Sequence, residues 1–361
     1  MRRRLVLAAV AEASLLARVA WAGTSATVEP YHVPAIAVKA PAEVLLEAVT
    51  YAGRRLVAVG EHGVVIYSDD EAKSWTQARV PVDVTLNCVR FANPSVGWAA
   101  GHFGVVLGTQ DGGETWALQL DGKQANALTL AAAKAAVAAG SQVPGVELAL
   151  RRADLFVAGG PDLPFFTLLV LNPRKVFAFG AYRLAMVSED GGKNWADCSL
   201  DIYEKFSVDL FDAKIIDGAI YLAGGAGSVL SSTNGGAFFT PLATPADVTL
   251  FGILAAPDGS LLVYGVAGAC FRSSDGAKSW ASVNLGVDDN ILAGCVLRSG
   301  IMMLASQTGT LLASANNGAS FTVVNSLPSL VVCDVIQTSR DTLVLVGTTG
   351  VAEVSTDVLN N

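Results

Sequence analysis

Seven copies of one short pattern punctuate the chain, beginning at Ser68, Thr109, Ser188, Ser232, Ser273, Ser314 and Ser355. They read SDDEAKSW, TQDGGETW, SEDGGKNW, STNGGAFF, SSDGAKSW, SANNGASF and a cut-off STDVLNN. The starts lie 41, 79, 44, 41, 41 and 41 residues apart. A period of this length marks a propeller or solenoid, in which each unit buries its apolar face only against its neighbours.

Residues 86–120 show how one unit folds. Leu86 to Phe91 reads as a strand, Asn93-Pro94-Ser95 as a turn and Gly97 to Ala100 as a second strand. Gly101 to Gly104 is a second turn and Val105 to Thr109 a third strand. Asp111-Gly112-Gly113 is a third turn, and Thr115 to Leu120 a fourth strand. Four short strands joined by Gly-rich turns make one blade, so the expected class is all-β, a seven-bladed propeller.

The repeated box falls on the third turn. Its members are Ser68, Asp70 and Trp75; Thr109, Asp111 and Trp116; Ser188, Asp190 and Trp195; Ser232 and Asn234; Ser273, Asp275 and Trp280; Ser314, Asn316 and Phe321; and Ser355 with Asp357. The Asp or Asn accepts hydrogen bonds from turn N–H groups, the glycine permits positive φ, and the aromatic covers the hairpin. This is the Asp-box, or BNR, signature, and here its role is structural.

Two features depart from the repeat. The last box stops at Asn361 with no fourth strand behind it, and an open edge is disfavoured. Residues Tyr31 to Val38 precede the first blade, and the reading assigns them to the missing outer strand of blade seven. The 79-residue interval contains an alanine- and leucine-rich run, Asn126 to Gly160, broken by Gly140-Ser141-Gln142-Val143-Pro144. It reads as an inserted helical hairpin, about residues 122–161, between blades two and three.

The first 22 residues read as a secretory signal, with a basic start, an apolar run and Ala20-Trp21-Ala22 as a cleavage site. The expected mature domain, residues 23–361, is therefore periplasmic or secreted. Without the leader it carries 20 basic and 31 acidic side chains, a net charge of −11. That balance argues against nucleic acid and anionic membrane as partners. No later stretch is long and apolar enough for a membrane span. The five cysteines, Cys88, Cys198, Cys270, Cys295 and Cys333, lack C-x-x-C spacing and read as small buried thiols.

In a four-stranded blade the second turns and the connections between blades share one face, opposite the boxes. The helical insertion belongs to that first face. So do Glu61 and His62, His102 and Phe103, and Tyr182 and Arg183, the candidate partner-binding residues. His62 and His102 with Glu61 invite a metal reading, but nothing in their spacing supplies a third ligand, and none is assigned.

Catalysis has little to stand on. The mature chain has 11 arginines, no Arg-Ile-Pro before the first box, and one Tyr-Glu pair, Tyr203-Glu204. There is no G-x-S-x-G, H-E-x-x-H or P-loop. No catalytic residue, cofactor or metal is expected.

The boxes, the GEHG and GHFG loops, the GAYRLAMVSEDGGKNW stretch and the insertion together resemble the photosystem II stability and assembly factor-like BNR propellers. The similarity is to the secreted, non-photosynthetic bacterial branch with a helical insertion. The resemblance spans residues 29–361 and implies a non-catalytic propeller. Photosynthetic relatives hold an exported segment of a membrane protein; the branch with the insertion resembles accessory proteins of RND-type exporters. The resemblance thus implies a scaffold docking on a membrane protein, possibly an RND-type transporter. A glycan- or small-ligand-binding propeller, or a sialidase-like glycosidase, is the alternative.

Overall fold

The computed structural model describes residues 29–202, 208–327 and 330–357. The expected leader and the Tyr203-Glu204 pair lie outside them. Each unit folds as an antiparallel meander with its strands in chain order. The innermost strands are Leu46–Ala52, Leu86–Phe91, Phe165–Val170, Leu210–Ile216, Leu250–Ala255, Ile291–Val296 and Val332–Gln337. The second strands, such as RLVAVG in Arg55–Gly60 and VFAFG in Val176–Gly180, are almost wholly buried. They sit between neighbouring blades and so read as continuous apolar runs. The outer strands are short, two residues at Thr76–Gln77, Ala196–Asp197 and Ala281–Ser282, which leaves little edge to pair with another chain.

The core is distributed between blades. Val57 and Val59 of the first blade pack with Leu86, Val89 and Leu107 of the second, and equivalent clusters fill the following interfaces. At the last interface Val344 and Val346 pack against Leu46, Val49, Leu56 and Ala58, so blade seven meets blade one directly.

That closure differs from the one expected. The seventh sheet has three strands among the described residues, Val332–Gln337, Thr342–Gly347 and Gly350–Ser355, and residues 31–38 do not pair with it. They run beside the first blade instead. Ala35 N donates to Val80 O (3.1 Å), Gln77 Nε2 donates to Ile36 O (2.6 Å), and Val38 N donates to Gln77 Oε1 (3.0 Å). Two properties explain this. Pro30 and Pro34 carry no N–H for a ladder, and the Tyr31 ring is buried in the core between blades one and two. Closure rests instead on side chains. Asp334 accepts from Val49 N (3.1 Å), Gln337 O accepts from Tyr51 Oη (3.1 Å), and Glu71 receives Ser339 and Arg340.

The boxes sit on their hairpins as expected. Ser68 Oγ donates to Asp70 Oδ1 (2.8 Å) and accepts from Ala72 N (2.9 Å), while Asp70 Oδ1 accepts from Ser74 N (2.9 Å). The same bonds recur at Thr109, Ser188, Ser232, Ser273 and Ser314, and in part at Ser355. A further member was not read from the sequence. The side chain six residues after the box serine or threonine clamps the second acceptor oxygen, as Ser74, Thr115, Asn194 and Ser279 do. Trp116, Trp195 and Phe321 are buried, with Trp75 and Trp280 half-buried.

The insertion forms helices α1 (Gly122–Ala138) and α2 (Val146–Gly159), separated where the glycine and proline residues fall. Asp121 starts α1 with a capping box: its side chain accepts from Gln124 N, and Gln124 bonds back. Asn126 Nδ2 ties the helices together, donating to Phe156 O (2.9 Å) and Gly160 O (2.8 Å). Ala125 and Phe156 enter the core shared by blades two and three, and Thr129 donates to Asp197 on blade three (2.8 Å). All five cysteines are free; burial pushes the Cys88, Cys270 and Cys295 thiols up to about 12, which keeps them protonated.

Candidate functional site

The face opposite the boxes is built the same way seven times. The first residue after each second strand donates its N–H to the carbonyl just before an innermost strand, as Glu61 does to Leu45 (3.2 Å), His102 to Thr85 (2.9 Å) and Ala181 to Pro164 (3.1 Å). The chain then turns through a left-handed residue, at φ 54° for His62, 55° for Phe103 and 51° for Tyr182. Such a conformation costs a non-glycine residue roughly 1–2 kcal/mol. Strain of this kind collects where a rigid scaffold presents side chains.

The six expected contact residues do not form one site. His62 is exposed, but its Nδ1 faces Asp83 Oδ1 at 2.8 Å. Glu61 Oε1 accepts weakly from Leu45 N (3.4 Å). Phe103 is half-buried against Tyr31, with ring centroids 6.3 Å apart, while His102 is exposed. Tyr182 is different. It is 56% exposed, its N–H donates to Asp209 Oδ1 (2.7 Å), and its ring lies 6.5 Å from that of Phe156 on α2.

Tyr182 thereby joins α2 in a groove of about 620 Å³ lined by Leu148, Arg151, Arg152, Leu155, Phe156, Asp162 and Leu163, almost wholly apolar. Helix α2 uses two faces. Ala149, Arg152, Ala153 and Phe156 point at the propeller, whereas Leu148 and Leu155 are 53% and 71% exposed. Exposed leucines one helical repeat apart on a docked helix are unusual for a surface with no partner. The sequence places the insertion and Tyr182 on one face but does not single out Leu148 and Leu155, because charged and apolar residues are mixed on both sides of α2: Arg152 is buried, while Glu147, Arg151 and Asp154 are exposed beside the leucines.

Charge is also concentrated here. Burial and nearby Arg183, opposed by Asp197, together lower the Arg152 guanidinium to about 10. Arg152 Nη2 reaches Ser199 Oγ at 3.3 Å, which anchors α2 to blade three. Arginine is sparse in the chain, yet Arg151 and Arg152 line this groove and Arg183 lies near Arg152.

No family model matches the chain. The photosystem II assembly lipoprotein Ycf48 of Synechococcus sp. (strain CC9902) is 28% identical over 113 residues, 30% of this chain and 33% of that protein. Among solved structures, YCF48 bound to D1 peptide superposes with a TM-score of 0.63 at 16% identity, covering 89% of this chain and 98% of that one. The chain shares the propeller fold of YCF48. YCF48 from Cyanidioschyzon merolae gives 0.63 at 15% identity, covering 88% of this chain and 97% of that one. An ancestral GH74 enzyme gives 0.64 at 13% identity, covering 88% of this chain and 45% of that one. At these identities the structural likeness carries the fold. The chain matches about a third of the length of its curated relative.

Proposed function

We propose that this protein is a non-catalytic scaffold that docks on a membrane protein, and that the groove between α2 and Tyr182 is the docking site. The observation that carries the reading is the exposed Leu148 and Leu155 on α2, which Arg152 holds to blade three and Asn126 holds to α1, itself tied to blade three by Thr129. A helix held this firmly and still apolar outward suits an apolar segment of a partner, with the basic groups at its rim taking an acidic one. The Ycf48 likeness supports the assembly-factor class, since one such propeller was solved with a D1 peptide bound. The finer reading is a periplasmic accessory subunit of an RND-type transporter. A glycosidase, as in the GH74 neighbour, needs two free carboxylates flanking a sugar bond. Along the propeller axis Asp212 and Asp334 instead accept backbone N–H groups of the next blade, Ile253 and Val49.

The test is co-purification from detergent-solubilised cells, comparing the wild type with a Leu148→Asp, Leu155→Asp variant. The expected result is an inner-membrane RND-type transporter enriched with the wild type and lost with the variant. Absence of any transporter, or equal recovery with both proteins, would contradict the reading.

A further inference from the structure

A second site lies on the propeller axis. In all seven blades the pairing of the innermost strand with the second strand slips by one residue near its start, and the bulged residues are Glu47, Asn87, Phe166, Phe211, Phe251, Leu292 and Cys333. A bulge re-aims its side chain, and here each one lines the mouth of the axial channel, on the same face as the helices. The resulting ring has two unlike halves. Blades three to six supply Phe166, Phe211, Phe251 and Leu292, with Phe166 and Phe211 stacked at 4.8 Å and Phe211 edge-on to Phe251 at 5.3 Å. Blades seven, one and two supply Cys333, Glu47 and Asn87.

We propose that this mouth receives the side chain of a lysine or arginine carried on a peptide. Three observations converge on a cation. Aromatic faces attract one, and three phenyl rings, all half-buried, form one wall. Deeper in the channel Lys214 pairs with Asp212 (3.4 Å), and Arg90, whose Nη1 donates to Val89 O, acts on Asp334. Glu47 differs: among the described residues no cation pairs with it, burial pushes its carboxyl up, and that carboxyl accepts a hydrogen bond from the Cys333 thiol. Finally, Thr167 lines the same cavity at 2% exposure, and its Oγ1 has no hydrogen-bond partner. That hydroxyl is an acceptor for an entering ammonium or guanidinium N–H.

Size narrows the occupant. The cavity measures about 110 Å³, against ~300–1,000 Å³ for a site that encloses a metabolite. The end of one side chain fits and a folded cofactor does not. The chain's net charge of −8 favours a basic partner as well.

Calorimetry at low ionic strength tests this with capped peptides Gly-Gly-Arg-Gly-Gly and Gly-Gly-Lys-Gly-Gly, a norleucine control and spermidine. Either basic peptide is expected to bind at least about tenfold tighter than the norleucine peptide, and Glu47→Gln to remove about tenfold of that affinity. Phe211→Leu keeps an apolar side chain but removes the ring face, and is expected to weaken binding several-fold, with melting temperatures checking that both variants fold. Leu155→Asp should leave this affinity unchanged, which separates the axial site from the helix groove. No heat with either basic peptide, equal binding of norleucine, or an unaffected Glu47→Gln variant would overturn the proposal. Spermidine binding as tightly as the peptides would overturn its peptide part.

Discussion

The two faces of the propeller are built from the same repeats and have opposite economies of hydrogen bonding. On the box face the serine, threonine and Asp/Asn side chains are used locally: Ser188 bonds Asp190 and Gly192, and Asp190 bonds Asn194 twice. On the opposite face the repeats diverge. They end in His62, Phe103, Tyr182, Ala226 or Ala267 at the same left-handed position, and one gap carries two helices with outward leucines. Repetition marks what holds the fold, and departure from repetition marks the face proposed for docking.

Substitutions on the two faces should therefore separate stability from docking. The largest stability loss is expected from Trp116→Ala, which removes a buried ring whose Nε1 donates to Gly113 O (3.0 Å); urea unfolding should show a cost of ~3–5 kcal/mol. Partner capture by the folded fraction should persist. Tyr31→Ala is expected to cost somewhat less, ~3 kcal/mol, because the N-terminal segment is held by this buried ring. An unchanged melting temperature would refute that anchoring.

Ser188→Ala should cost ~1–2 kcal/mol, since it leaves the Gly192 N–H and an Asp190 oxygen without their partner. Acid should act on the same network. Donors from Ser74, Asn194 and Ser279 hold Asp70, Asp190 and Asp275 at about 2, below the ordinary 3.8. A carboxylate whose pKa is depressed in the fold stabilises above its unfolded value and loses that contribution as pH falls through the folded one. Melting temperature should hold above about pH 4 and decline towards pH 2, less steeply in an Asp70→Asn, Asp190→Asn, Asp275→Asn variant. A variant as acid-sensitive as the wild type would remove the boxes from the explanation. The smallest stability change, within ~0.5 kcal/mol, is expected for Leu155→Asp on the exposed side of α2, although it should abolish docking.

Much of this architecture was legible from residues alone. The box spacing carried the blades, and the alanine-rich run carried the helices with their break. What escaped depended on contacts distant in sequence. The alternation at Tyr31 to Val38 looked like a strand, but burial of one ring beside the first blade outweighed edge pairing in a segment containing Pro34. The clamp at Ser74, Thr115, Asn194 and Ser279 was hidden because three residue types perform it. The outward face of α2 could not be chosen from the sequence, because charged residues fall on both sides, Arg152 inward and Glu147, Arg151 and Asp154 outward. The seven bulges leave no trace in composition, since each is one residue of register.

The most direct test places a photo-crosslinking side chain at Leu155 in one protein and at exposed Lys193, in the box of the same third blade, in another. Both are expressed in cells and the adducts identified by mass spectrometry. Adducts with one inner-membrane protein from position 155, and none from position 193, are the expected result. The same adduct from position 193, with none from 155, would contradict the assignment of the helix-bearing face to function and the box face to structure.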